Sequence, residues 1–124
     1  MVGIDDLKRR YFQFGMAMLK LADMLPRTRS GDAVGRQLSR SGTGAAANYR
    51  ASCRGKSKAD FIAKMGIVEE ELDESLFWLE VSREGKMLPP NALDPWTKEG
   101  NELLAITVKS IQTARGGNRC GQVR

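Results

Sequence analysis

Apolar residues recur along this chain at alternating steps of three and four, the spacing of a helix that buries one stripe of its surface. From Ile4 the row continues through Leu7, Tyr11, Phe14, Met18, Leu21 and Leu25, and Phe12 and Leu19 widen it. This predicts a first helix over Ile4–Leu25. Pro26 ends it, because the residue before a proline is pushed out of the helical region and proline has no N–H to donate.

A second helix is predicted from Ser30 or Asp32, either of which can cap it, to Arg54. Its inner row is Val34, Leu38, Ser41, Ala45, Asn48 and Ser52. After Leu38 that row holds only small or polar side chains. Gly42 and Gly44 each weaken a helix by about 1 kcal/mol relative to alanine. They therefore mark a face where another backbone comes close. Gly55 is expected as the residue that ends the helix.

The third helix is predicted over Ser57–Lys86, with Ser57 and Asp60 as a capping pair. Phe61, Met65, Val68, Leu72, Ser75 and Leu79 form its inner row, flanked by Ile62, Leu76 and Trp78. Pro89 and Pro90 close it. The fourth starts near Asn91 or Asp94. If Asp94 caps it, Pro95 falls in the first helical position, where a missing N–H costs nothing. Trp96, Leu103, Leu104, Ile106, Val108 and Ile111 supply its apolar side chains, and it frays after Ala114. No segment alternates in the manner of a strand. The pattern predicts an all-α, up-and-down four-helix bundle over residues 1–115 and a flexible tail over 116–124.

Length and composition narrow the function. A chain of 124 residues suits one domain. No apolar run approaches the ~20 residues that span a membrane. The acidic start Met-Val-Gly-Ile-Asp-Asp is unlike a secretory signal, so a cytoplasmic location is expected. Cys53 and Cys120 are not spaced as a metal motif and are expected as free thiols. The chain has no histidine, which removes the usual general base, the histidine-dependent nucleophile systems and most zinc sites. No catalytic residue, metal, cofactor or small-molecule substrate is expected.

Two glycine motifs fail on context. Gly42-Thr43-Gly44-Ala45-Ala46-Ala47 has the spacing of a dinucleotide fingerprint, but no strand precedes it. Gly55-Lys56-Ser57 resembles the end of a phosphate-binding loop, yet Arg50 stands where its first glycine should be. The acidic run Glu69, Glu70, Glu71, Asp73 and Glu74 lacks the histidine partners of a bundle metal site. Asn48, on the inner row, needs a polar partner. Asn48 and Arg40 are expected to meet Glu71 or Glu74 across the bundle.

Charge is segregated. Arg27 to Lys58 carries a net +7, and Asp60 to Glu84 a net −6. The whole chain carries +5. Two readings of the basic half stay open, a nucleic-acid surface and pairing with the acidic helix within or between subunits. Arg40, Arg50, Arg54, Lys56 and Lys58 are the candidate nucleic-acid-binding residues.

Arg40-Ser-Gly-Thr-Gly-Ala-Ala-Ala-Asn-Tyr-Arg50, the segment Lys56–Lys64 and the run from Gly66 to Glu80 together resemble the four-helix-bundle proteins encoded in bacterial 23S rRNA intervening sequences. Leu25-Pro26-Arg27-Thr28 fits as well, and the resemblance spans about residues 8 to 112. Gly44 and Ala46 are smaller than it leads one to expect. It implies a left-handed up-and-down bundle and ring-like homo-oligomers, typically pentamers, in a family most of whose members have no established activity. A related branch is the accessory variability protein of diversity-generating retroelements. That branch implies RNA or DNA and a reverse transcriptase as partners, engaged through basic positions matching Arg40, Arg50, Arg54, Lys56 and Lys58. The expected function is therefore a small oligomeric binding or scaffold protein. The alternative is a purely structural homo-oligomer with no nucleic-acid partner.

Overall fold

The computed structural model describes residues 3–116, without the Ile4 side chain. Four helices form there and no strand does: α1 (Ile4–Met24), α2 (Arg29–Ser52), α3 (Lys58–Glu84) and α4 (Pro90–Gly116). Connections over 25–28, 53–57 and 85–89 are too short to let successive helices run parallel. Each helix packs against the next and α4 closes on α1, giving an up-and-down bundle. Gly116 is the last residue of α4, and the rest of the expected tail, with Cys120, lies outside the described residues. Cys53 is a free, half-buried thiol.

The helix ends differ from expectation in four places. The cap of α2 is Thr28, whose Oγ1 accepts the Gly31 N–H at 3.0 Å, not Ser30 or Asp32. The turn at Pro26 is so tight that a Cβ on Gly31 would stand 2.0 Å from the Pro26 carbonyl oxygen, and this brings the helix start forward. α2 ends at Ser52 with Cys53 as cap, so Gly55 lies in the connection and not at the helix terminus. α3 does begin after Ser57, which accepts the Asp60 N–H at 3.1 Å, but the Asp60 carboxylate takes the Lys56 N–H instead of reaching back to Ser57. It stops at Glu84, and Lys86 turns the chain with φ of 54°. Finally, α4 starts at Pro90, which puts Pro95 inside the helix and not at its first position. Asp94 is no cap, because its carboxylate accepts from Arg83 Nε at 2.9 Å.

The core follows the predicted rows. Tyr11, Phe14, Met18 and Leu21 of α1 meet Val34, Leu38, Ala45 and Tyr49 of α2 and Met65, Val68, Leu72 and Leu79 of α3. On α4 the buried row is Leu93, Gly100, Leu103, Thr107 and Ile111. Gly100 belongs there because a Cβ would approach Leu76 Cδ2 to 2.9 Å and Phe14 Cε1 to 3.1 Å.

The close approach expected from the α2 glycines is on the α1 side. A Cβ at Gly15 would stand 3.0 Å from the Gly42 carbonyl oxygen and 3.4 Å from Ala46 Cβ. One turn pair along, Gly35 faces Ala22, whose carbonyl oxygen would lie 3.5 Å from an added Cβ. Small residues seven apart on both helices thus set one antiparallel register. Gly44 faces α3 and leaves room for the Glu71 carboxylate, which an added Cβ would meet at 2.4 Å.

The buried serine and threonine hydroxyls of the described residues are all satisfied. Ser41 shares a 2.8 Å hydrogen bond with Ser75 across α2 and α3 and donates to the Gln37 carbonyl. Ser52, Ser82 and Thr107 each donate to a carbonyl of the preceding turn. This is the usual way for a small hydroxyl to enter a helical core without an orphaned dipole.

Candidate nucleic-acid interface

One polar layer defines which chain segments share an end of the bundle. Tyr11 and Tyr49 stack with ring centroids 3.9 Å apart and planes 9° from parallel. The Tyr11 hydroxyl shares a 2.7 Å hydrogen bond with Thr107 Oγ1, which ties α4 into the layer. Ser52 Oγ reaches Met65 Sδ at 3.3 Å, which adds α3. Burial, reinforced by the Cys53 thiol, pushes the Tyr49 phenol above its ordinary pKa. Burial raises that of Tyr11 too, against the opposing effect of the Thr107 hydrogen bond. Both rings are therefore neutral structural elements.

Beyond this layer lie the start of α1, the end of α2, the 53–57 connection, the start of α3 and the end of α4. Residues 3–10, 50–64 and 108–116 hold ten lysines and arginines against three aspartates, a net +7. The remainder of the described chain carries −4. The molecule is thus a dipole with one basic end. Arg50, Arg54, Lys56 and Lys58 are all exposed there, as expected. Arg50 and Arg54 also sit near the α2 C-terminus, where the helix dipole favours cations.

Arg40 does not belong to this cluster. Its guanidinium bonds Glu74 and, at 3.3 Å, Glu71, and so it pins α2 to α3. The hydrogen bond from Arg40 holds the Glu74 carboxyl below its usual range, and Trp78 adds to this. Asn48 does not join them, contrary to expectation. Its amide donates to the Gly44 carbonyl at 2.8 Å, within its own helix. With glycine at 44, the Glu71 side chain packs on α2 there, and a half-buried Asn48 finds its partner one turn back.

Six basic residues of this end were not among the sequence candidates: Arg10 and Lys64 are tied into ion pairs with Glu99 and Asp60, and the other four are Lys8, Arg9, Lys109 and Arg115. Arg9, Lys109 and Arg115 are exposed and Lys8 is half-buried. They come from α1 and α4, far in sequence from the α2–α3 cluster, and only the up-and-down topology brings them to it. A second feature also needed the structure. Arg29, Ala33, Arg36, Arg40, Thr43, Ala47, Arg50 and Arg54 repeat at steps of four and three, and every one is exposed. This row carries the positive surface along the outside of α2.

Alternative chemistry finds no support in the geometry. Gly42–Ala47 lies inside α2, without the strand and turn that expose amides to a phosphate. No group of three or more cysteines, aspartates or glutamates among the described residues could hold a metal ion. Among the described residues, no helix is long and apolar enough to cross a membrane.

Comparison with known proteins agrees with the fold. The family described as 23S rRNA-intervening sequence protein matches residues 6–109. A crystal structure of a protein of unknown function from the S23 ribosomal protein family of Bacteroides thetaiotaomicron superposes with a TM-score of 0.80. The two sequences are 25% identical, and the match covers 86% of this chain and 99% of the other. No curated protein matches the chain.

Proposed function

The chain belongs to the 23S rRNA-intervening sequence protein family, and from that premise we propose that it is a non-enzymatic binding protein whose basic end docks on the phosphate backbone of RNA or DNA. The observation that carries this reading is the net +7 gathered beyond the Tyr11–Tyr49 layer by all four helices. Such a density of cations attracts a polyanion and gains free energy by releasing its condensed counterions. Tyr49 is buried and stacked on Tyr11, so it is not offered to a base. Recognition then rests on phosphates and is tolerant of sequence. A nucleic-acid enzyme such as a reverse transcriptase would be reached through the nucleic acid that both proteins hold.

The test is binding of the whole protein to short RNA and DNA oligonucleotides between ~50 and ~200 mM salt. The logarithm of the binding constant should fall by roughly 0.7–0.9 per neutralised phosphate for each unit of log salt. Reversing Arg50, Arg54, Lys56 and Lys58 to glutamate should abolish binding while the helical circular dichroism is kept. Absence of binding at ~50 mM salt, or binding untouched by the reversal, overturns the proposal and leaves a purely structural protein.

A further inference from the structure

Two aromatic rings among the described residues are exposed, Phe12 at 55% and Phe77 at 53%. Their surroundings differ in sign. Phe77 is three or four residues from Asp73, Glu74 and Glu80 on α3, so those carboxylates share its face and repel a polyanion. Phe12 is three residues from Arg9 and four from Lys8, one turn away towards the basic end. It also extends the wall of a groove. Between α1 and α2 runs an open groove of about 630 Å³, with Leu19 and Ala22 on one side and Gly35, Arg36 and Thr43 on the other. Phe12 is seven residues before Leu19, and Arg50 is seven after Thr43. In antiparallel helices both steps run the same way, two turns or about 10 Å towards the basic end. Phe12 and Arg50 thus carry the two walls up to Arg54, Lys56 and Lys58. Arg9, Arg36 and Arg50 are exposed, and none makes an ion pair among the described residues. At the far end Asp23 and Asp32 line the groove, and their carboxylates turn a phosphate away.

Building on the phosphate site proposed above, we infer that its ligand is an unpaired strand, which enters the α1–α2 groove from the basic end and stacks a base on Phe12. Charge complementarity names the occupant: Arg9, Arg50 and Arg54 surround the approach to the ring with cations that match a phosphate backbone. The ring decides between the forms of nucleic acid. In a duplex each base is paired and stacked on its neighbours, so its face is closed to a side chain. A single strand leaves that face free, and a cationic track with an exposed aromatic ring is the usual means of holding one. Stacking is tolerant of sequence, because every base has a π-face. It adds to the phosphate contacts without changing the number of counterions they release. Phe12 is therefore a base-binding residue, and Arg50 a phosphate-binding one beside it.

The test compares binding of the full chain to an unpaired oligonucleotide of about 12 nucleotides, within the range such sites cover, and to the same sequence as a duplex. Phe12→Ala should weaken single-strand binding at least about fivefold. It should leave the salt slope as it is and duplex binding unchanged. Phe12→Trp should keep the affinity. Its fluorescence should be quenched by the single strand beyond the change that Trp78 and Trp96 give in the parent, and the duplex should not quench it. Circular dichroism checks that both variants, altered only at an exposed ring, keep their helices. Single-strand binding untouched by Phe12→Ala, as expected if the ring is covered by protein, overturns the inference and leaves the phosphate docking standing. Equal weakening of single-strand and duplex binding does the same. A parent that binds neither form overturns both.

Discussion

Gly15 and Gly42 lie against each other where α1 meets α2, so near that a Cβ on Gly15 would stand 3.0 Å from the Gly42 carbonyl oxygen. A Cβ on Gly42 would come within 2.4 Å of Met18 Cγ and 2.6 Å of its Cβ. The second figure matters more, since a side chain's Cβ cannot swing away without the backbone. Gly42→Ala gains about 1 kcal/mol of helix propensity but overpacks a core contact, which typically costs 1–3 kcal/mol. The expected outcome in urea unfolding is net destabilisation. Gly66→Ala is the control: nothing lies within 4 Å of its added Cβ, and it should stabilise by up to ~1 kcal/mol.

The stacked tyrosines predict an alkaline limb in stability. Folding raises the phenol pKa of both Tyr11 and Tyr49. A group raised in the folded state contributes stability that is fully present below its unfolded pKa, near 10, and is lost as pH rises towards the folded value. Urea midpoints should therefore hold up to about pH 10 and fall above it. Tyr49→Phe should flatten that fall. A limb of equal steepness in the variant would show that Tyr49 does not carry it.

Tyr11 also holds α4 through Thr107 at 2.7 Å. Tyr11→Phe leaves the Thr107 hydroxyl bonded to the Leu103 carbonyl at 2.8 Å, so no buried donor is orphaned. The loss should be that of one hydrogen bond, about 1 kcal/mol by thermal or urea unfolding.

Arg40 separates packing from binding. It bonds two glutamates of α3, so Arg40→Ala should leave the salt slope for RNA unchanged, whereas Arg50→Ala should lower it by about 0.7–0.9. The same substitution should show at acid pH. Arg40 holds the Glu74 pKa down, and a depressed carboxylate contributes stability present above its unfolded value and lost as pH falls through the folded one. The variant should lose less stability than the parent below about pH 4.5.

On the other side of the bundle, Arg10 grips Glu99 through Nε at 2.9 Å and Nη2 at 2.7 Å, with Glu102 at 3.1 Å. Lysine carries the charge but cannot form the fork. Arg10→Lys should cost up to about 1 kcal/mol, and its effect should shrink in high salt, measured as the change in urea midpoint.

Heptad spacing made the four helices legible, since burial of one stripe is written in the order of side chains and needs no knowledge of neighbours. Gly100 and Thr107 were harder to see on α4, because a glycine and a threonine carry no hydrophobic signature and are buried only where Phe14, Leu76 and Tyr11 meet them. The cap at Thr28 was hidden for a related reason, as Pro26 folds its carbonyl over Gly31 and brings the helix start forward. Four of the ten basic residues of the basic end, Arg50, Arg54, Lys56 and Lys58, could be read as a cluster. Lys8, Arg9, Lys109 and Arg115 join it only once the helices are laid antiparallel.

By itself the sequence determined the helices, their inward rows, the absence of histidine chemistry and the presence of a glycine-bearing close contact on α2. These are local properties, decided by side-chain spacing, rotamer size and proton affinity along a few turns. The tertiary structure decided which helix the glycines touch, that Arg40 is spent on Glu71 and Glu74 and Asn48 on its own backbone, and that positive charge from three separate segments meets at one end. Partner choice and charge summation depend on distances between residues remote in sequence, and only the packed bundle sets those distances.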